Sequence, residues 1–292
     1  MATRHDERHP VPIAVDARTQ PVTRSAAVPP EAYFVGSAIF HYLGPAFAVL
    51  LFARVAPLGV AWLRILTAAV VFAVWRREAL RHALRDRVVL VWAVVLAAMN
   101  CCFYMAIDHL PLATVAAIEF LPVVGLAALG ARTPRNAAAL ALAVPGVYVL
   151  TGVHLAGETT GIAFAFANAV LFAAYIVCAD RAAKEGLGID GLAGAMLLAA
   201  VLVTPVGATS VDAVSIAAGA GVGISSSVIP YVFDQLALVR LPRATYSLMV
   251  AILPATATVI GLLVLAQVPT LRDLAGIGLV ALGVALHRPA AA

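Results

Sequence analysis

The sequence has few charged residues for its length. Of its 292 residues only 12% are charged, whereas 63% are hydrophobic and the mean hydropathy is +1.00. Soluble domains contain roughly 45 to 50% apolar and about 25% charged residues. A soluble globular domain is therefore excluded, and we expect an integral membrane protein.

Residues that form disulfides, metal sites and catalytic sites are also scarce. Cys101, Cys102 and Cys178 lie in apolar stretches and form no CxxC or Cys/His spacing. The chain has no Walker A loop and no Gly-x-Ser-x-Gly motif. We therefore expect no metal, no cofactor and no enzyme activity. The pI near 9.2 does not indicate nucleic-acid binding, because the basic residues lie in short loops and tails.

Ten apolar stretches are long enough to cross a bilayer, whose core of about 30 Å needs roughly 17 to 25 residues per helix. The predicted spans are residues 33–53, 58–75, 88–107, 111–130, 136–152, 161–179, 191–208, 213–238, 244–266 and 271–287. Residues 1–31 contain no apolar run and are expected to form a disordered cytoplasmic tail. The predicted fold class is thus an all-α integral membrane protein with ten transmembrane helices.

Loop charge predicts the orientation of these spans. With a cytoplasmic N-terminus, sixteen of the 19 Lys and Arg residues fall in cytoplasmic segments. Arg54 and Arg272 fall outside, and Arg64 lies within a span. Because cationic segments resist translocation, we expect both termini in the cytoplasm.

A short motif recurs five spans apart. Leu-Pro-Leu-Ala-Thr at 110–114 returns as Leu-Pro-Arg-Ala-Thr at 241–245, 131 residues later. A duplication of five spans inverts the second copy, which is a recurrent plan of secondary transporters. We therefore predict two inverted five-helix repeats, 32–155 and 156–292. An accidental match between two helix starts is the competing interpretation, since proline is common there.

Several segments then resemble a known family. They are Met-Asn-Cys-Cys-Phe-Tyr at 99–104, Leu110-Pro111, Ala-Ile-Glu-Phe at 117–120, Pro230-Tyr231 and Leu-Ala-Leu-Val-Arg-Leu-Pro at 236–242. Over about residues 35–287 the chain resembles the threonine and homoserine exporter group of the EamA-type drug/metabolite transporter superfamily. The resemblance implies a secondary transporter of the bacterial inner membrane that exports small neutral amino acids or related metabolites, driven by protons.

The ninth span departs from that family's pattern. Where the family usually has a glutamate before proline, this chain has Leu253-Pro254, and Ala266-Gln267 replaces the Gly-Glu that typically closes the span. The second half thus lacks these carboxylates. We therefore expect acid chemistry to depend on Glu119 in the first half.

Charged groups inside the bilayer are costly, so those that occur there are candidates for substrate binding or proton coupling. Arg64 has a planar donor fork suited to a carboxylate. It competes with two structural interpretations, an ion pair with Glu119 and capping of backbone carbonyls. Glu119 lies among apolar neighbours that disfavour its charged form, so it is a candidate for proton exchange or for holding a substrate ammonium. The structural interpretation is a neutral glutamate bonded to another helix.

Further candidates are polar groups within predicted spans. Asp234 follows Pro230 by about one turn, in a span where Ser225, Ser226 and Ser227 can satisfy backbone groups freed by the proline, which predicts a kink. Asp234 is also close enough to Arg240 for an interfacial role. The uncharged candidates are His41, Asn100, Tyr104, Asn168, Tyr175 and Tyr231. For any single one of them a hydrogen bond between helices is the competing and more common role.

Other functions remain open at this stage. The resemblance does not distinguish an amino-acid exporter from a carrier of another solute, such as a drug-like cation. A membrane receptor or scaffold does not readily explain Arg64 and Glu119 within the spans. The Gly219-x-x-x-Gly223 pattern fits close helix packing and leaves a homodimer open.

Overall fold

The computed structural model describes residues 29–77, 84–122, 125, 133–154, 158–208, 212–238, 249 and 252–286. Within these ranges the chain forms ten helices and no strand. They are α1 Pro30–Leu51, α2 Pro57–Trp75, α3 Arg87–His109, α4 Leu112–Glu119, α5 Pro134–His154, α6 Thr159–Lys184, α7 Gly188–Gly207, α8 213–238, α9 Leu253–Leu265 and α10 Leu271–Leu286. Helix α8 joins Ala213–Gly223, a π-helical turn Ile224–Val228, and Ile229–Leu238.

The all-helical prediction is confirmed for the described residues, and each helix falls on one predicted span. Six helices are both long and apolar enough to cross a membrane, judged by length and composition: α1, α2, α3, α6, α7 and α8. Helix α9 is apolar but shorter, at 13 residues. Helices α4 and α9 cover only parts of the predicted spans 111–130 and 244–266. Most of the remainder of these two spans lies outside the described residues.

Helix starts carry the residues expected of them. Prolines open α1 and α2 at positions whose backbone N–H would have no partner inside the helix. Asp86 caps α3 by accepting a 2.7 Å bond from the Val88 N–H, and Asp212 caps α8 by accepting a 2.8 Å bond from the Ser215 N–H. These local signals explain why the predicted span boundaries are close to the observed ones.

Helix α8 is irregular next to Pro230, where a kink was predicted. Pro230 has no N–H to donate to the Ser226 carbonyl four residues earlier. The helix widens over Ile224–Val228 into a π-helical turn, an irregularity that is frequent at functional sites. The Pro230 carbonyl in turn accepts a 3.2 Å bond from the Ser37 hydroxyl of α1.

Close packing brings distant segments together in the bundle. Helix α5 packs along α10, α3 along α6, α2 along α7 and α1 along α8. Gly146 and Gly276 allow α5 and α10 to touch, since a Cβ on Gly146 would lie 2.8 Å from the Gly276 carbonyl oxygen. Gly219 and Gly223 likewise bring α8 against α2, so this glycine pair serves packing within the chain.

The bundle is apolar outside, and its buried interior holds polar side chains among apolar ones. Large apolar side chains such as Val74, Leu263 and Val201 are 71%, 74% and 63% exposed. The fully buried residues include polar ones, among them Asn168 and the tyrosines Tyr42 and Tyr104. This distribution suits a protein whose solvent is lipid, where polar groups gather inside.

Candidate functional site

Arg64 lies in the middle of α2 and reaches across to α8. Its Nε donates a 3.0 Å bond to the Ser227 hydroxyl, and its Nη2 donates a 3.2 Å bond to the Ser226 carbonyl oxygen. That carbonyl is the one left without its usual partner by Pro230. The π-helical turn and the proline therefore create the acceptor that holds the guanidinium, which is the carbonyl-capping interpretation of Arg64.

Two ring side chains flank Arg64. Its Cζ lies 5.7 Å from the ring centroid of Tyr104 on α3, within the range of a cation–π contact. Tyr104 is fully buried, and its hydroxyl interacts with Arg64 and Ser226. His41 on α1 is also near enough to interact electrostatically with Arg64. The structure thus brings three predicted candidates, His41, Arg64 and Tyr104, into one group.

Glu119 is the last residue of α4, and its side chain contacts α6. It is only 7% exposed, and its Oε1 accepts a 3.2 Å bond from the Asn168 Nδ2 of α6. The other amide atom of that side chain, Asn168 Oδ1, is buried without a partner among the described residues. Tyr42 on α1 is buried, interacts electrostatically with Glu119, and has a hydroxyl that is equally unpartnered within the described chain.

Arg64 and Glu119 lie at similar depth without forming an ion pair. Helices α2, α4 and α6 all begin at the end of the bundle where α3 ends, and Arg64, Glu119 and Asn168 follow those starts by about 10 to 14 Å at 1.5 Å per residue. Among the described residues no Arg64 nitrogen lies within 4.0 Å of a Glu119 oxygen. Their charges influence each other from a greater distance. Among the described residues each of the two side chains is therefore held by a partner other than the opposite charge.

Two other candidates make hydrogen bonds outside this group. Asn100 donates a 2.9 Å bond to the Leu96 carbonyl of its own helix, α3. The Tyr231 hydroxyl contacts the Tyr175 hydroxyl, and its ring lies 5.9 Å from that of Phe72. Tyr231 thus belongs to an aromatic cluster that also includes Trp92, 5.8 Å from Tyr175. The side chain of the last candidate, Asp234, lies outside the described residues, although its backbone belongs to α8.

Comparison with known proteins agrees with this architecture. The model of the EamA-like transporter family matches residues 159–287. The threonine/homoserine exporter RhtA of Escherichia coli (strain K12) is 31% identical over 247 residues, covering 80% of this chain and 83% of the relative. The protein of that name from Salmonella typhimurium (strain LT2) is 31% identical over 239 residues, 78% and 80% of the two chains. The chain belongs to the EamA-like transporter family.

A solved crystal structure adds a likeness in fold. It shares 20% identity with this EamA-like protein and has a TM-score of 0.61 over 88% of this chain and 96% of its own. At that identity the likeness supports the fold alone. Family membership makes the protein a multi-pass membrane transporter of a small molecule, and the group of Arg64, Tyr104, Glu119, Asn168 and Tyr42 is its candidate substrate site.

The departure in the ninth span has a visible structural consequence in this transporter. Ala266 ends α9 in the left-handed conformation, with φ of 54°, which favours glycine. Gln267 places its Oε1 3.1 Å from the Leu112 N–H and so accepts a bond from the first turn of α4. The amide thus ties the end of α9 to the helix that carries Glu119. A cavity of about 150 Å³ opens beside it, lined partly by Pro111 and Thr258.

Charged groups at the helix ends pair with each other. The Arg76 guanidinium at the end of α2 bonds to Asp190 at the start of α7, and this hydrogen bond, with the charge of Asp190, raises the pKa of Arg76. The bonds that Asp212 accepts from Ser215 lower the pKa of Asp212. Neither group faces the candidate site, so both serve the packing of the helix ends.

Sequence reasoning missed one member of the site. Tyr42 was not singled out, because a tyrosine in an apolar span is most simply a packing residue. Its neighbours His41 and Gly44-Pro45 gave no signal about its hydroxyl. Asn168 was identified only as one polar residue among several. Their common feature, a buried polar atom without a partner, becomes visible only once the helices are packed.

Proposed function

We propose that this transporter exports small neutral amino acids of the threonine and homoserine type, or related metabolites, in exchange for protons. The names of the curated relatives support the substrate class. The observation that carries the proposal is that Arg64 and Glu119 lie at similar mid-depth on separate neutral partners, without an ion pair between them among the described residues. An amino acid brings a carboxylate and an ammonium, which are the partners that these two side chains require.

The proposed mechanism assigns one charge of the substrate to each residue. The guanidinium has five N–H donors, of which the described bonds to Ser226 and Ser227 use two, and the substrate carboxylate binds to the others. The Glu119 carboxylate binds either the substrate ammonium or a proton. Because the two compete for one carboxylate, substrate leaving outwards is replaced by a proton that enters, and the proton is released to water on the cytoplasmic side.

We further propose that the ten helices are ten spans in two inverted repeats. Contacts between helices five apart support this arrangement, since α2 packs on α7, α4 on α9 and α5 on α10. The packing of α3 on α6 likewise has its counterpart in the packing of α8 on α1. A two-fold axis in the membrane plane produces these pairs. The family match over residues 159–287 supports a second repeat that begins near residue 156.

Charge supports a bacterial inner-membrane protein with both termini in the cytoplasm. Arg76 at the end of α2 pairs with Asp190 at the start of α7, and Arg135 at the start of α5 donates a 2.6 Å bond to the Leu286 carbonyl at the end of α10. The helix ends that loop charge assigns to the cytoplasm therefore contact each other in these two pairs of helices.

The test is export of labelled L-threonine from preloaded cells, with and without an uncoupler that collapses the proton gradient. Glu119→Gln should abolish uncoupler-sensitive export while the protein stays inserted, because the amide can neither carry a proton nor attract an ammonium. Glu185→Gln is the matched control, since this acid lies after α6 and, among the described residues, pairs with Arg181. Undiminished export by Glu119→Gln would refute the mechanism. If cells export a preloaded cationic dye in preference to L-threonine, the drug-cation alternative is favoured.

A further inference from the structure

We propose that Glu119, Asn168 and Tyr42 together form a binding subsite for the primary ammonium of the substrate. This inference rests on the proposed function and extends it to Asn168 and Tyr42, which have no role in the mechanism proposed above. A primary ammonium has three N–H donors. The three side chains offer three oxygen acceptors: the Glu119 carboxylate, Asn168 Oδ1 and the Tyr42 hydroxyl.

Burial without partners is the first argument for the subsite. Tyr42 and Asn168 are each 0% exposed, and the Tyr42 hydroxyl and Asn168 Oδ1 have no hydrogen-bond partner among the described residues. A buried polar atom left unpaired costs about 1 to 3 kcal/mol. Asn168 bonds to Glu119, so its unpaired oxygen lies close to a buried carboxylate, and both unpaired atoms are expensive unless something binds there.

The chemistry of the group selects a cation with several donors. Glu119 is the acid of the group. Asn168 Nδ2 donates a 3.2 Å bond to its Oε1, which holds the carboxylate in place and leaves the Asn168 carbonyl oxygen as a further acceptor. The Tyr42 hydroxyl can accept a hydrogen bond from the ammonium through its oxygen. An anion or an apolar group would find no matching partner at this point.

Arg64 determines where the cation's counter-charge must lie. Its guanidinium is held on α8 by Ser226 and Ser227, outside ion-pair distance of Glu119. A free inorganic or drug-like cation would meet only repulsion from Arg64, whereas the carboxylate of a zwitterion binds it. The subsite therefore selects an α-amino acid by its ammonium, next to the carboxylate contact at Arg64.

The three acceptors come from three helices of both predicted repeats. Tyr42 lies on α1 and Glu119 on α4, in the first repeat, whereas Asn168 lies on α6, in the second. The ammonium would thus bridge the two halves. A movement of one half against the other separates the acceptors, and the cation then leaves more easily, which links substrate release to the conformational step.

The experiment compares two ligands on the purified protein, L-threonine and 3-hydroxybutyrate, which keeps the carboxylate and the hydroxyl but lacks the ammonium. Tyr42→Phe and Asn168→Leu should each raise the Kd of L-threonine about 10-fold, the effect of losing one hydrogen bond to a charged group. Neither should change the Kd of 3-hydroxybutyrate by more than about two-fold, because the carboxylate contact remains. Tyr148→Phe, at a side chain 75% exposed, is the matched control and should leave both values unchanged.

An equal loss of affinity for both ligands would overturn the proposal, since it would indicate damage to the fold. Unchanged binding of L-threonine would overturn it as well. If Asn168→Leu does not fold, the Tyr42→Phe variant and the smaller Asn168→Ala variant decide the same question. The proposed function is tested separately by Glu119→Gln. If that variant binds L-threonine as the unmodified protein does, the proposed function is refuted. If Glu119→Gln weakens binding while Tyr42→Phe and the Asn168 variants bind fully, only the subsite is refuted.

Discussion

Replacing Gly223 with alanine tests the contact that sets the position of Arg64. Gly223 lies on α8 directly before the π-helical turn. A Cβ there would lie 2.6 Å from the Thr67 Cβ and 3.0 Å from the Arg64 carbonyl oxygen, both on α2. Neither atom is the far end of a flexible side chain, so the helices must move apart. That movement pulls the guanidinium away from Ser226 and Ser227.

Two terms of opposite sign determine the effect on stability. Overpacking costs about 1 to 3 kcal/mol. Alanine in place of glycine inside a helix returns about 0.8 to 1 kcal/mol. Gly221, two residues earlier on the same helix, has no atom within 4 Å of its hypothetical Cβ. Gly221→Ala therefore carries only the favourable second term, and the difference between the two variants isolates the packing cost.

The assay is thermal unfolding of both variants in the same detergent, followed by tryptophan fluorescence. For a packing cost of about 2 kcal/mol, Gly223→Ala should unfold about 5 °C below Gly221→Ala. Export of L-threonine should fall in Gly223→Ala and persist in Gly221→Ala, because only the former displaces Arg64. Equal Tm values and equal export for the two variants would contradict the described contact between α2 and α8.

Two further predictions concern helix ends. Ala266→Gly should raise Tm, because the left-handed conformation at this position costs a non-glycine residue roughly 1 kcal/mol; an unchanged or lower Tm would mean that Ala266 is not strained. Asp212→Ala should destabilise the protein most at neutral pH. The folded-state pKa of Asp212 is lowered, so its contribution is complete above the ordinary carboxyl pKa and is lost as pH falls through the folded value. The stability difference from the unmodified protein should therefore shrink in acid, and a constant difference would contradict the cap.

The helices were predictable from sequence because their signals are local. Span length, a proline or aspartate at the start, and the charge of the loops each depend on a few neighbouring residues. The predicted start of the second span, residue 58, is one residue from the observed Pro57. Asp86 and Asp212 then fix two other starts through bonds within three residues.

The site was only half predictable, because its partners depend on which helices pack together. Arg64 and Glu119 were identified from the cost of charge in an apolar span. The choice between an ion pair and carbonyl capping for Arg64 required knowing that α8, with its π-helical turn, lies beside α2. The Asn168 bond to Glu119 likewise joins residues 49 apart in sequence. No local pattern encodes either contact.

The separation of Arg64 from Glu119 is the strongest physical argument for a zwitterionic substrate. Breaking a buried ion pair leaves two uncompensated charges and costs several kcal/mol. A transporter that kept these residues paired would have to meet that cost each time a substrate entered. Here the guanidinium is instead held by a serine hydroxyl and by a carbonyl that Pro230 leaves available, and the carboxyl is held by an amide. Such neutral contacts are weaker than an ion pair and can yield to the charged ends of an amino acid.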